Sequence, residues 1–299
     1  MTSYLIYNPV AGKLQRNPDL IPTALELIRR TGVAVEALPT VGPGSATVLA
    51  RKAVELGAAN VFVAGGDGTI NEVVNGLARS RVPLGILPGG TANCLAIELG
   101  LGTNLRKAAE NAGKWQAQRI PLGLCTPKHG EPRYFVAMAG AGVDAQIVRE
   151  VDSKLKRRLG KGAYWLAGFR ATMRLLPELY VDSKEGKRKV SFALASRVRN
   201  YGGDLEIAKS ISLSQPHFET VMFEGRLALK YMKYLAGVLI NQHRGMSGVH
   251  VHHLDQLDLS PVNGEKIFLQ LDGEEFGELP ARLEVIPDAL TILAPPRKT

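Results

Sequence analysis

The sequence predicts an α/β N-terminal domain built on a parallel sheet, followed by a β-rich, sandwich-like C-terminal domain. Three observations carry this. Over the first hundred residues, short apolar runs alternate with stretches of helical periodicity. Three of the passages from run to helix are rich in glycine. Beyond about Gln118 the pattern changes to short segments of alternating apolar residues. These features place one domain at residues 1–118 and a second at 119–299, with the last strand free to return to the first domain. The 299 residues are 45% hydrophobic and carry 37 Lys and Arg against 28 Asp and Glu, a net charge of +9. Such a chain can bury a core in each of two domains, which excludes disorder.

Residues 3–7 read as the first strand. Ile21, Ala24, Leu25 and Ile28 then fall at i, i+3, i+4 and i+7 of a helix that Gly32 ends. Residues 33–38 form the second strand. Ser45 is placed to cap a helix running to Leu56, with Gly57 closing it. Residues 59–64 are nearly all apolar, as in a strand buried on both faces. Ile70, Val73, Val74 and Leu77 make one helical stripe, residues 83–87 a fourth strand, and Ala92, Leu95, Ala96 and Leu99 the next stripe. Repeated β-α units make a parallel sheet, and such sheets take ligands at the carboxyl ends of their strands. In the second half, residues 134–138, 190–195, 220–223, 267–271 and 290–293 read as strands. One helical stretch interrupts them, with Leu155, Leu159, Leu166, Phe169, Met173 and Leu176 on one face before Pro177.

The apolar run at the N-terminus has no positive flank and ends at Asn8-Pro9, unlike a signal peptide. The longest uncharged run, residues 82–97, is broken by Pro83, Pro88, Gly89 and Gly90, so no stretch reads as a membrane span. Two cysteines, Cys94 and Cys125, belong to no CxxC pair and suit a reducing compartment. The expectation is a cytoplasmic protein.

The glycine-rich passages are Asn8-Pro9-Val10-Ala11-Gly12-Lys13, Gly65-Gly66-Asp67-Gly68-Thr69 and Pro88-Gly89-Gly90-Thr91-Ala92-Asn93. Glycine at the end of a parallel strand admits close approach of a ligand, and the helix that follows offers amide groups and a positive dipole end to an anion. Phosphate is the ligand this suits. Thr69 and Glu72 have the spacing of a capping box, which would fix where that helix starts. Neither G-x-x-x-x-G-K-[ST] nor a first-turn G-x-G-x-x-G occurs. Asp67 would repel phosphate unless a divalent cation or a proton transfer uses it, which points to a metal-bound nucleotide.

These residues in this order resemble the signature of the diacylglycerol kinase catalytic-domain superfamily, specifically its soluble bacterial lipid kinases. The resemblance rests on Asn8-Pro9-x-Ala11-Gly12, Gly65 to Glu72 and Pro88-x-Gly90-Thr91-x-Asn93, and extends to Asn200-Tyr201-Gly202-Gly203 and Asp272-Gly273-Glu274. It implies ATP- and Mg²⁺-dependent phosphorylation of a lipid alcohol, diacylglycerol first, with ATP on the first domain and a β-sandwich facing it across a cleft. It puts nucleotide contacts on Asn8, Pro9, Gly12, Thr40, Gly65, Gly66, Asp67, Gly68, Thr69, Asn71, Glu72, Thr91 and Asn93. It puts the base on Glu274 with Asp272 beside it, and Asp67 at the metal and water. Read without the resemblance, Asp272-Gly273-Glu274 is equally an acidic hairpin tip, since Glu275 and Glu278 follow. A second-domain magnesium site is common in the family, yet the corresponding stretch here reads Ser214-Gln215-Pro216-His217-Phe218-Glu219, leaving Glu219 as its one ionisable oxygen ligand.

Residues 149–174 hold eight basic and two acidic residues and resemble an interfacial helix, implying transient contact with an anionic inner membrane surface; they read equally as an amphipathic helix packed on the second domain with a solvated charged face. No nucleic-acid-binding motif accompanies the charge. His250, His252 and His253 read as strand residues at the surface rather than metal ligands, for want of a further ligand at a diagnostic spacing. A NAD kinase-like enzyme and a nucleotide-sensing regulator without turnover stand as alternatives.

Overall fold

A computed structural model describes residues 1–90, 93–143, 145, 176–201 and 205–296. The helical stretch expected to end at Leu176, the basic residues 149–174, Thr91, Gly202 and Gly203 lie outside these, Leu176 itself excepted. The chain divides into two compact units, residues 1–122 with 287–299, and residues 123–286.

Unit 1 contains β1 (Ser3–Tyr7), α1 (Gly12–Arg16), α2 (Leu20–Arg30), β2 (Val35–Pro39), α3 (Ser45–Glu55), β3 (Val61–Gly65), α4 (Asp67–Leu77), β4 (Leu84–Pro88), α5 (Cys94–Glu98) and α6 (Leu105–Asn111). Its strands run in the order β2-β1-β3-β4, all parallel. β3 and β4 are buried at every position, as strands covered on both faces must be. The helices pair as α2 with α6 and α3 with α4. Of the apolar positions predicted for these helices, Ile21, Ala24 and Ile28 in α2 and Ile70, Val73, Val74 and Leu77 in α4 are buried, while Leu25 is half-buried.

The strand order decides where a ligand can sit. From β1 the chain moves to one side to make β2, then crosses back to make β3 and β4 on the other side. The connections therefore diverge at the carboxyl ends of β1 and β3, which is the topological switch point of an open α/β sheet.

β5 (Gln116–Pro127) leads out of unit 1. Unit 2 holds β6 (Arg133–Phe135), β7 (Met138–Gly142), β8 (Leu179–Ser183), β9 (Gly186–Val190), β10 (Phe192–Ser196), β11 (Asn200–Tyr201), β12 (Leu205–Glu206), β13 (Phe218–Phe223), α7 (Ala228–Leu239), β14 (Val249–Leu254), β15 (Gln256–Pro261), β16 (Phe268–Leu271), β17 (Glu274–Glu278) and the start of β18 (Ala281–Ala294). One layer pairs β14-β13-β10-β7-β16-β17, antiparallel throughout. The other contains β18-β15-β8-β9. Side chains from both layers, among them Phe135, Val181, Val190, Phe218, Met222, Leu257 and Leu269, form one core. β18 ends in unit 1, where Ile292 pairs in parallel with Leu84 of β4.

Some local expectations are corrected. The Thr69 and Glu72 capping box is absent: the cap of α4 is Gly66, three residues earlier, and the helix begins at Asp67, so Glu72 faces another partner. Ser45 is the first residue of α3 and not its cap; its hydroxyl accepts from the amides of Val41 and Gly42 instead. Of the stripe predicted through Ala92, which lies outside the described residues, α5 holds Leu95 and Ala96, and Asn93 adopts a left-handed conformation (φ 49°) immediately before it. Three helices escaped the sequence, among them the five-residue α1. α6 is short, its Asn104 cap accepting from the amide of Lys107 at 3.1 Å. α7 is apolar on two faces and lies among the short apolar segments of the half of the chain read as strands.

Candidate active site

Three loops leave the carboxyl ends of β1, β3 and β4, and the structure brings them into contact. Asn8 follows β1; its side-chain oxygen accepts from the Val10 amide at 3.1 Å while its nitrogen reaches Thr69 Oγ1 at 3.4 Å, linking the first loop to the second. The Lys13 amide donates to the Gly89 carbonyl at 3.4 Å, linking the first loop to the third. The Lys13 ammonium donates to the Thr103 carbonyl at 2.8 Å, and burial lowers its pKa.

The second and third loops meet backbone to backbone. A Cβ added at Gly90 would lie 2.5 Å from the Gly66 Cα, and one at Gly89 would lie 3.0 Å from the Gly65 nitrogen. Glycine here serves loop-on-loop packing. At Gly12, by contrast, the corresponding space is open to 4 Å. Asn93 is fully buried and closes the third loop on itself, its side chain accepting from the Gly90 amide at 3.2 Å and donating to the Gly90 carbonyl at 2.7 Å. Gly90→Val is expected to cost about 1–3 kcal/mol, the range for overpacking, and to weaken nucleotide binding. Thermal unfolding with and without ATP measures both, and an unchanged midpoint in each would remove the packing argument.

Asp67 stands in the first turn of α4, where its charge complements the helix dipole. Its two oxygens accept from the amides of Asn93 (3.0 Å) and Cys94 (2.9 Å). The carboxylate thus holds the third loop against the second, a positioning task distinct from the metal-and-water role expected of it. Glu72 likewise turns outward, accepting from the amides of Gly44 (2.8 Å) and Ala46 (3.0 Å), and so fixes the loop that follows Thr40. The Thr40 amide donates to the Tyr7 carbonyl at 2.8 Å, at the same end of the sheet. Asn71 is buried on α4 and accepts from Asn75 at 2.9 Å through its carbonyl.

In unit 2, Asp272 and Gly273 form a two-residue hairpin between β16 and β17, with Leu271 paired to Glu274. Both have positive φ, 51° and 84°, the signature of a type I′ turn. Asp272 is buried, and its carboxylate accepts from the amides of Val136 (3.0 Å), Ala137 (2.8 Å) and Met138 (3.0 Å). The Glu274 side chain is 49% exposed, with Arg133 at 3.8 Å. The two carboxylates have therefore separated: Asp272 anchors the hairpin, and Glu274 projects from it.

Comparison with known proteins settles the family. Residues 2–125 match the model of the diacylglycerol kinase catalytic domain, and residues 137–294 match that of the YegS C-terminal NAD kinase beta sandwich-like domain. The chain belongs to the diacylglycerol kinase family. It is 29% identical to a diacylglycerol kinase of Bacillus subtilis, over 98% of this chain and 96% of that protein. It is 31% identical to a Chromohalobacter salexigens protein named "probable lipid kinase YegS-like", over 98% of this chain and 93% of that one. A solved diacylglycerol kinase structure from Bacillus anthracis shares the fold, with a TM-score of 0.77 over 99% of this chain and 97% of its own at 20% identity. The chain is thus a lipid kinase, a phosphotransferase. Among its described residues no helix is long and apolar enough to cross a membrane.

In this lipid kinase Glu219 does not face another carboxylate. It is 0% exposed, and its oxygens accept from the amides of Lys209 (3.1 Å) and Ser210 (2.6 Å) and from the Arg244 guanidinium. Among the described residues no three His, Cys, Asp or Glu side chains are grouped to hold a metal. This donor set does not fit the second-domain magnesium site that the family resemblance implies. Cys125 is buried, which pushes its thiol up to about 12, so it serves packing and not nucleophilic chemistry.

Unit 2 also holds histidines that burial keeps neutral. The His217, His243 and His252 pKa values are lowered, in each case mainly by desolvation. His253 and Arg197 add to this at His217, Lys209 and Arg244 at His243, and Arg188 at His252. The histidines at 250 and 252 stand on β14 as expected. They are less exposed than a surface strand implies, with His250 bound to Glu224 at 2.7 Å and His252 Nε2 buried without a partner. Groups with depressed histidine pKa values bind fewer protons folded than unfolded. Stability is then complete above about pH 6.5, the unfolded value, and falls as pH drops below it. Urea midpoints between pH 7.5 and 5.5 are expected to decline, and less steeply in a His217→Asn variant. Parallel slopes would remove His217 from the account.

Proposed function

We propose that this chain transfers the γ-phosphoryl group of ATP, in the presence of Mg²⁺, to the hydroxyl of a lipid alcohol, and that the alcohol is diacylglycerol, giving phosphatidic acid. The observation that carries the proposal is the convergence of three glycine-containing loops at the switch point of the unit 1 sheet. Phosphates suit it because α4 begins there with its amide end toward the loops and Gly12 leaves space beside them. In this reading Gly12, Gly66, Gly68 and Thr69 hold the phosphates, while Asn8, Asp67, Glu72 and Asn93 keep the loops in register. Magnesium bound with the nucleotide supplies neutralisation of phosphate charge.

The remaining requirement is a group for the hydroxyl proton. Glu274 takes it as the alcohol oxygen bonds to phosphorus and the bond to the ADP oxygen breaks. Support for Glu274 over Asp272 is geometric: three backbone amides occupy Asp272. Diacylglycerol is favoured by the name that the Bacillus subtilis relative carries. The test is incubation of the purified chain with labelled ATP, Mg²⁺ and vesicles containing diacylglycerol, monoacylglycerol, a sphingoid base or a polyprenol, with NAD in a parallel tube. Labelled phosphatidic acid is the expected product. Label in another lipid would keep the kinase and change the substrate, whereas label only in NAD, or in nothing, would overturn the proposal.

A further inference from the structure

We infer that the outer face of α7 is the surface by which this lipid kinase rests on an anionic bilayer, an inference that takes from the proposed function only that the substrate is a membrane lipid. Ten large hydrophobic side chains stand exposed among the described residues, and five of them, Leu227, Leu229, Met232, Leu239 and Ile240, fall within residues 227–240. Leu229 is 82% exposed and Ile240 64%. At 100° per residue, Leu229, Met232, Ala236, Leu239 and Ile240 span one continuous arc. The opposite arc is also apolar and is already used: Tyr231, Tyr234 and Val238 are buried, with Tyr231 and Tyr234 packed on Phe223. A helix that is apolar on both faces and covered on one presents the other to something.

Charge selects the occupant. From Gly225 to Leu254 the chain carries Arg226, Lys230, Lys233 and Arg244 and no carboxylate. Arg226 is committed to Glu178 and Glu265, and Arg244 to Glu219. Lys230 lies over the Tyr234 ring, 5.8 Å from its centroid, and Lys233 is left exposed on the helix itself. Lys209 joins them at its carboxyl end, donating to the Asn241 carbonyl at 3.0 Å. Aliphatic side chains edged by lysines and free of acid match an acyl boundary under anionic headgroups. A second copy of the chain fits less well, since a two-fold axis through this face would set lysines against their own copies. Nor does the exposed arc carry the Trp, Tyr or Arg anchors of a protein interface. This surface lies outside residues 149–174, for which membrane contact was expected from the sequence.

The test compares the unmodified chain with Leu229→Ser/Met232→Ser and with Lys233→Glu. Sedimentation with phosphatidylglycerol-containing and with pure phosphatidylcholine vesicles, without ATP, reads binding alone. The double variant is expected to lose about tenfold or more of its partition onto anionic vesicles. Lys233→Glu should lose several-fold at low salt and little at high salt. Turnover of a short-chain diacylglycerol below its micelle concentration should not change in either. Unfolding midpoints should also hold, since these side chains are exposed. Equal vesicle binding by all three proteins would overturn the inference. So would an unmodified chain that dimerises where the double variant is monomeric, because the face would then be covered by a second copy. A chain that binds anionic vesicles through this face yet phosphorylates nothing would defeat the proposed function and leave this inference standing.

Discussion

Glu274→Gln is expected to reduce phosphatidic acid formation by about a hundredfold to ten-thousandfold, the range for loss of a general base, with unfolding and ATP binding nearly unchanged. The neighbouring Asp272→Ala should do the reverse in kind: it should unfold unit 2 more easily by about 3 kcal/mol or more. The reason lies in what each carboxylate touches. Asp272 is buried, and removing it leaves three amides, those of Val136, Ala137 and Met138, without their acceptor. A buried donor left unsatisfied costs about 1–3 kcal/mol. Alanine at a left-handed position (φ 51° here) adds to that. Glu274 is half-exposed on the next strand position, where glutamine keeps the shape and loses only the basicity. Urea unfolding and initial rates on both variants separate the two roles. If Asp272→Asn kept its stability and lost its turnover while Glu274→Gln kept both, the assignment would be reversed.

Much of unit 1 was legible because its signals are local. A parallel strand buried on both faces is a run of apolar residues, and a helix on such a sheet shows its stripe, as β3 and α4 do. The three glycine loops were legible for the same reason, since each sits between a strand and a helix. What the loops do to each other was not. Gly90 reads as freedom for a ligand, and only the fold shows that Gly66 lies against it. Glu72 reads as half of a capping box, and Asp67 reads as chemistry because a carboxylate in a phosphate loop demands an explanation. The fold supplies one through amides 26 or more residues away in sequence, at Asn93 and Cys94 for one and at Gly44 and Ala46 for the other. The Asp-Gly hairpin was visible as a turn, but the three amides that claim Asp272 come from more than 130 residues upstream. α7 was missed for a different reason: it lies among the strands of unit 2, where short apolar runs read as strand.

Arg244→Ala is expected to cost unit 2 about 3–5 kcal/mol, the penalty for stranding one partner of a buried ion pair, while EDTA leaves the same unfolding transition in place. The segment from Ser214 to Glu219 is where the family resemblance leads one to look for a divalent cation. Here two guanidinium groups hold it instead. Arg197 is fully buried and donates to the carbonyls of Leu213 (2.6 Å) and Gln215 (3.2 Å), and burial pulls its own pKa down to about 10. Arg244 covers Glu219 and reaches Ser210 Oγ at 3.2 Å. A cation bound in a loop neutralises a carboxylate and gathers carbonyl oxygens, and Arg244 and Arg197 divide those two tasks between them. Truncating Arg244 leaves a carboxylate that is 0% exposed with the amides of Lys209 and Ser210 and, at 3.9 Å, the His253 ring. A Glu219→Gln/Arg244→Met double variant should recover much of the loss, because neither charge is then left alone. If EDTA lowered the midpoint of the unmodified chain as far as Arg244→Ala does, a metal would share Glu219 and the guanidinium account would fall. If the double variant were no more stable than Arg244→Ala, the cost would lie in lost packing of the Arg244 side chain and not in the stranded charge.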